Sequence, residues 1–214
     1  IAVYGASAGG ILTEDSPPRP DSYYAETKLA AEKIVLAARR QDGGPLGVVL
    51  RLGAVYGSRI RGNYRRLLRA LARGRFIPLG PGRNRRTLVY DRDVGRAAVL
   101  AARHPRAAGC TFNVTDGRIH TLAEIIAVLC GALGRMPPRL TLPVGPVRRV
   151  AGLLEDGARL FGLRSPLARS TIDKYTEDVA VDGSRFCGIG FVPRYDLAEG
   201  WRETVNELRQ AGEL

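Results

Sequence analysis

Tyr24 and Lys28 stand four residues apart in Tyr24-Ala-Glu-Thr-Lys28, directly behind the Pro-rich turn Pro17-Pro18-Arg19-Pro20-Asp21-Ser22. On a helix this spacing puts the phenol and the ammonium on one face, one turn apart. A tyrosine ordinarily titrates near pH ~10. A fixed cation within a few ångströms favours the phenolate, so such a pair can act as acid and base near neutrality. Tyr23 is a poorer candidate, because its partner one turn on is Thr27. A Tyr-x-x-x-Lys match alone is common, and the elements around it decide its meaning.

Those elements read as an alternating pattern. Ile1 to Tyr4 has the composition of a short strand ending at Gly5, followed by a polar loop to Asp21. Asp21 or Ser22 can cap the helix of Tyr24, Lys28, Leu29, Ile34 and Val35, and Gly43-Gly44-Pro45 stops it. Val48-Val49-Leu50-Arg51-Leu52 is an apolar run with the pattern of a strand buried on both faces. Strand, helix, strand in this order implies a right-handed crossover in a parallel sheet. Further on, a basic helix is expected over Asn63 to Arg73, strands over Thr87–Tyr90 and Phe112–Val114, and a helix opening at Asp93. Thr121/Glu124 and Asp196/Glu199 are capping boxes for two more helices, the first ended by Gly134, and Val147 to Phe161 also reads as helical.

Bulk composition limits the classes of function. The 214 residues are 45% hydrophobic, enough for one or two packed domains. No run is long and apolar enough to span a membrane, and no secretory signal is present, so no membrane partner is expected. The net charge of +12 raises nucleic acid as a partner. The cations are almost all Arg, spread along the chain apart from Arg59 to Arg86, without aromatic interleaving. A local polyanion site is therefore expected rather than a nucleic-acid surface. Cys110, Cys130 and Cys187 are widely spaced and form no ligand pattern with His104 and His120, so no metal is expected. Buried thiols in a reduced cytoplasmic compartment are the expectation.

Four segments in order resemble the extended short-chain dehydrogenase/reductase family, the NAD-dependent nucleotide-sugar epimerases and dehydratases. They are Val3-Tyr4-Gly5 with the acidic-Pro loop Thr13–Pro17, Tyr24 to Glu32, Leu50 to Gly57, and Arg86 to Val94. The tail, Asp182–Arg185 and Gly190–Gly200, is also family-like, and Arg61–Asn63 through Leu79 to Arg86 looks closest to bacterial surface-sugar enzymes. The implied fold is α/β: the C-terminal part of a Rossmann-type doubly wound parallel sheet over residues 1–60, with 87–105 returning to it. A smaller α/β nucleotide-sugar domain would fill the rest of 61–214. The resemblance makes Tyr24 the catalytic base and Lys28 its partner on NAD (or NADP). It puts Leu52, Gly53, Ala54 and Val55 at the nicotinamide edge. Asn63, Phe76, Ile77, Leu79, Asn84 and Arg86 would bind a UDP-linked sugar, with Arg86 on the diphosphate. Ala54 departs from the asparagine of many epimerases, which favours the surface-sugar branch. A homodimer is implied as well.

The preferred activity is 4-epimerisation of a UDP-hexose or UDP-N-acetylhexosamine. A 4-keto-sugar reductase or a dehydratase of the same family is the alternative, and a non-catalytic NAD-binding or RNA-associated member the second. Gly5 to Gly10 follows a strand-like run but leads into Pro-rich loop, so it is not the glycine turn that receives a cofactor pyrophosphate. That turn and the family's catalytic Ser or Thr are expected upstream of Ile1, and the 214 residues alone are expected to be inactive.

Overall fold

A computed structural model describes the chain except residues 8, 60 and 161–168 and the side chains of 158–160. Ala8 of the glycine-containing loop and Phe161 at the end of an expected helix therefore lie outside the described residues.

Helix α1 (Tyr23–Ala37) begins where the sequence offers a cap: the Ser22 hydroxyl accepts from the Ala25 N–H at 3.3 Å. The strands β1 (Val49–Leu52) and β2 (Ala54–Tyr56) follow it, and α2 (Asn63–Ala72) carries the basic run. The two-residue strand β3 (Arg85–Arg86) leads to β4 (Leu88–Tyr90), α3 (Asp91–Arg103) and β5 (Thr111–Val114). A second two-residue strand, β6 (His120–Thr121), pairs antiparallel with β3 and opens α4 (Leu122–Leu133). The remaining helices are α5 (Val144–Leu160), α6 (Arg169–Thr176), α7 (Ser184–Cys187) and α8 (Leu197–Gln210).

The parallel pairing expected of an α/β crossover is present: β1 runs parallel to β5, and β2 parallel to β4. One strand line thus serves two partners, and Gly53 is where it changes over. The Gly53 N–H donates to Val114 at 2.8 Å, and the next N–H, of Ala54, donates to Thr87 at 2.9 Å. A Cβ at Gly53 would lie 3.1 Å from the Thr87 carbonyl oxygen, tighter than ordinary packing, which explains a residue without one.

Both capping boxes form. Thr121 and Glu124 exchange side-chain and backbone bonds at 3.2 and 2.7 Å, Asp196 and Glu199 do the same, and Gly134 closes α4 in the left-handed region at φ 71°. Helices α2, α4 and α8 bury their apolar faces on Tyr56, Leu88 and Tyr90, with Trp201 stacked on Tyr56 at 4.5 Å. A second cluster joins Val89, Phe112 and Val114 to Phe186 and Phe191.

Three expectations are corrected. Ala2–Tyr4 is a 3-10 turn, not a strand: the Tyr4 N–H bonds back to the Ile1 carbonyl at 3.1 Å and the Gly5 N–H to that of Ala2 at 3.4 Å. β1 is not buried on both faces. Val49 and Arg51 are buried while Leu50 and Leu52 are half-buried against the cluster of Val89, Phe112 and Val114. Of the three thiols only Cys130 is buried; Cys187 ends the short surface helix α7 and is exposed.

Asp93 locks α3 to the entry of α8. Its carboxylate is 1% exposed and accepts from the Arg194 N–H at 3.0 Å, the Tyr195 N–H at 3.2 Å and Arg96 at 2.6 Å. Asp93→Ala removes the acceptor and strands these donors, so stability should fall by about 3 kcal/mol. Urea denaturation checks this, and an unchanged midpoint would refute the assigned role.

Candidate active site

Tyr24 and Lys28 lie on the outward side of α1, and Tyr24 is 61% exposed, which makes it a surface phenol and not a core one. The Lys28 ammonium sits 5.4 Å from the centre of the Tyr24 ring. That is within cation–π range, so the ring itself helps to keep the cation beside the phenol. Leu52, Gly53 and Val55 face the pair across a cleft of ≈ 570 Å³ between α1 and β1. Val48 to Leu52, from both faces of the strand, form the floor of this cleft.

A buried polar network holds the floor and α1 together. Glu32, one turn beyond Lys28, accepts from Arg51 Nε at 3.1 Å and from Arg51 Nη2 at 2.7 Å. The third nitrogen of Arg51 donates to the Tyr4 hydroxyl at 2.7 Å, and the Tyr4 O–H donates to Asn113 Oδ1 at 2.9 Å. Asn113 continues to the Asp182 carbonyl at 2.9 Å, and its backbone N–H donates to Glu14 at 2.8 Å. Burial pushes the Tyr4 phenol up, so it stays neutral and can donate. Every nitrogen of a strand arginine is thereby satisfied, as a buried guanidinium requires.

A second cleft, of ≈ 650 Å³, lies on the other side of β2. Asn63, Tyr64, Leu67, Phe76, Arg86 and Tyr175 form much of its wall. Ile1 borders both clefts, and the neighbours Ala54 and Val55 divide between them, Ala54 lining the second and Val55 the first. Successive strand residues point to opposite faces, so two adjacent residues can serve two sites. Burial pushes the Tyr64 phenol up to about 12, which keeps it a neutral hydroxyl.

The expected sugar-side residues divide. Asn63, Phe76 and Arg86 come together in the second cleft. The Arg86 guanidinium also donates to backbone carbonyls that end α6: Lys174 at 2.9 Å, Tyr175 at 3.1 Å, and Glu177. Asn84 donates to the Tyr175 carbonyl at 2.9 Å and so supports α6. Ile77 is exposed, and Leu79 forms a bridge with Leu142 beside the cleft. Neither is part of the wall formed by the described residues. Among the described residues no three His, Cys, Asp or Glu side chains gather to hold a metal.

Sequence reasoning missed Glu32, Arg51 and Tyr4 as one unit, and it missed α6, whose Thr171, Lys174 and Tyr175 line the second cleft. The available signal for the first was a lone charge, Arg51, inside an apolar strand, with Glu32 in step with Tyr24 and Lys28.

Residues 1–115 match the model of the NAD dependent epimerase/dehydratase family. The chain is 29% identical over 201 residues to a UDP-glucose 4-epimerase of Vibrio cholerae, covering 93% of this chain and 57% of the relative. It is 23% identical over 207 residues to an N-acetyl-alpha-D-glucosaminyl-diphospho-ditrans,octacis-undecaprenol 4-epimerase of Escherichia coli O157:H7, covering 96% and 62%. Among solved structures, MoeE5 in complex with UDP-glucose and NAD superposes with a TM-score of 0.69 at 27% identity, covering 98% of this chain and 62% of MoeE5. The crystal structure of gox2253 superposes at 0.77 with 20% identity, a likeness of fold, over 100% and 65% of the two chains. The chain thus spans between about half and two thirds of the length of the relatives it matches.

Breaking the Glu32–Arg51 pair should show whether it supports the site. Removing one partner of a buried pair leaves an uncompensated charge, so Arg51→Met should destabilise by about 4 kcal/mol. The double variant Arg51→Met with Glu32→Leu should recover most of that loss in urea denaturation. Losses that simply add would contradict the coupling.

Proposed function

Because the chain belongs to the NAD dependent epimerase/dehydratase family, we propose that its parent protein is a nucleotide-sugar 4-epimerase for a UDP-hexose or UDP-N-acetylhexosamine. Tyr24 is the acid–base group and Lys28 its electrostatic partner. The observation that carries the reading is the meeting of two clefts at Ile1 and β2, one holding Tyr24 and Lys28, the other Asn63, Phe76 and Arg86.

The residues of the first cleft fit the nicotinamide end of NAD: an exposed phenol, an ammonium beside it, and a facing wall of Leu52, Gly53 and Val55. When bound, NAD supplies the acceptance and return of a hydride. Tyr24 takes the proton from the sugar 4-hydroxyl and later returns one to the 4-oxygen. Lys28 keeps a positive charge beside the Tyr24 ring through those two transfers and offers donors to the ribose. In the second cleft Arg86, with Lys174 on the same wall, balances the diphosphate charge, and Phe76 and Tyr64 pack the base. Ala54, small and at the division between clefts, leaves room for the hexose to turn over. Residues 1–60 and 87–105 form the cofactor layer in this reading, and most of the remainder the sugar-nucleotide layer. Support comes from relatives whose names include UDP-glucose 4-epimerase and a neighbour solved with UDP-glucose and NAD.

In the full-length protein, Tyr24→Phe should lower kcat by about 10²- to 10⁴-fold with UDP binding unchanged. Arg86→Ala should weaken UDP binding about tenfold, measured by titration calorimetry. Full turnover by Tyr24→Phe would remove Tyr24 from the chemistry.

A further inference from the structure

Residues 135–154 expose six large apolar side chains. Met136, Leu140, Leu142, Val150, Leu153 and Leu154 are between 42% and 77% exposed, which singles this stretch out from an ordinary scatter of surface hydrophobes. Helix α5 rests on the protein through Ala151, which is fully buried, and Gly152, where any Cβ would strike the Arg169 guanidinium. Pro146, Val150, Leu153 and Gly157 recur at helical spacing with Leu154 alongside, so they form one stripe on the side away from that contact. Among the described residues nothing covers this outward apolar stripe.

Positive charge exceeds negative around the stripe. Arg135, Arg139, Arg148 and Arg149 stand against Glu155 and Asp156, and Asp156 is paired with Arg169 at 2.6 Å. Arg148 is paired with Asp173 of α6 at 2.7 Å. Outward leucine and valine flanked by arginine is the make-up of a helix that lies in a bilayer interface and meets anionic headgroups. A second copy of the same face would set arginines against arginines, which disfavours self-pairing. No helix among the described residues is long and apolar enough to cross a membrane, so the face would lie on the surface and not span it.

The face also adjoins the sugar-side cleft. Leu142 is fixed to the segment behind Phe76 by two backbone bonds, to Pro78 at 2.9 Å and from Gly80 at 2.8 Å, and Ile77 beside it is exposed. Helix α6, which packs on α5, supplies Lys174 and Tyr175 to the cleft wall. We propose that residues 135–154 form a peripheral docking surface for an anionic lipid bilayer, holding the Phe76–Arg86 cleft at the membrane boundary.

The test is co-sedimentation of the full-length protein with vesicles of phosphatidylcholine alone or doped with phosphatidylglycerol. Binding should require the anionic lipid and weaken with salt. Leu153→Glu with Leu154→Glu should lower partitioning at least about tenfold. Arg139→Ser with Arg149→Ser should lower it about 25-fold, from roughly fivefold per arginine. Val192→Glu, at an exposed apolar residue elsewhere, should change nothing. Circular dichroism melts matching the wild type show that the variants are folded. Wild-type protein that leaves both vesicle types unbound overturns the proposal, as does undiminished binding by the double-Glu variant. A wild-type dimer that this variant converts to monomer, without vesicle binding, assigns the face to a second copy and overturns it too.

Discussion

Arg51 carries a full charge in the middle of an apolar strand, and much of the architecture follows from satisfying it. A guanidinium at 8% exposure needs a carboxylate and further acceptors within reach. Glu32 and Tyr4 supply them, which fixes α1 against β1 and the first turn of the chain against both. Asn113 extends the constraint to β5 and to the Asp182 segment. Tyr24, Lys28 and Glu32 are successive turns of one helix, so the pair at the cleft inherits its register from a charge two turns away.

The second organising feature is the strand line of β1 and β2. Its change of partner at Gly53, from β5 to β4, lets one backbone border two clefts within three residues. The first cleft has a titratable pair and few other polar side chains. The second has aromatic walls, a neutral Tyr64 phenol and cations from β3 and α6. In the proposed reading the first side carries the chemistry and the second the recognition of a charged, base-bearing substrate.

Legibility in the sequence tracked the range of the interactions. Caps and their helices were readable because Ser22, Thr121 with Glu124, and Asp196 with Glu199 act over three residues. The parallel strands were readable from apolar β-branched runs. Ala2–Tyr4 was not, because strand or turn depends on a neighbouring strand and not on local composition. Helix α6 was missed for a similar reason: it is short and polar, and Asn84 and Arg86, far away in sequence, cap its end. Tyr24, Lys28, Phe76 and Arg86 could be named through resemblance, but the backbone contacts of Arg86 and the outward stripe of α5 exist only in three dimensions.

The central claim is that Tyr24 and Lys28 support a reversible oxidation at C4 of a nucleotide sugar. The most direct measurement supplies the full-length protein and NAD with a UDP-hexose deuterated at C4 and follows the product by NMR and mass spectrometry. The expected product is the C4 epimer with its deuterium retained and no net formation of NADH. Loss of the label from C4, or NADH formed in step with product, would contradict it.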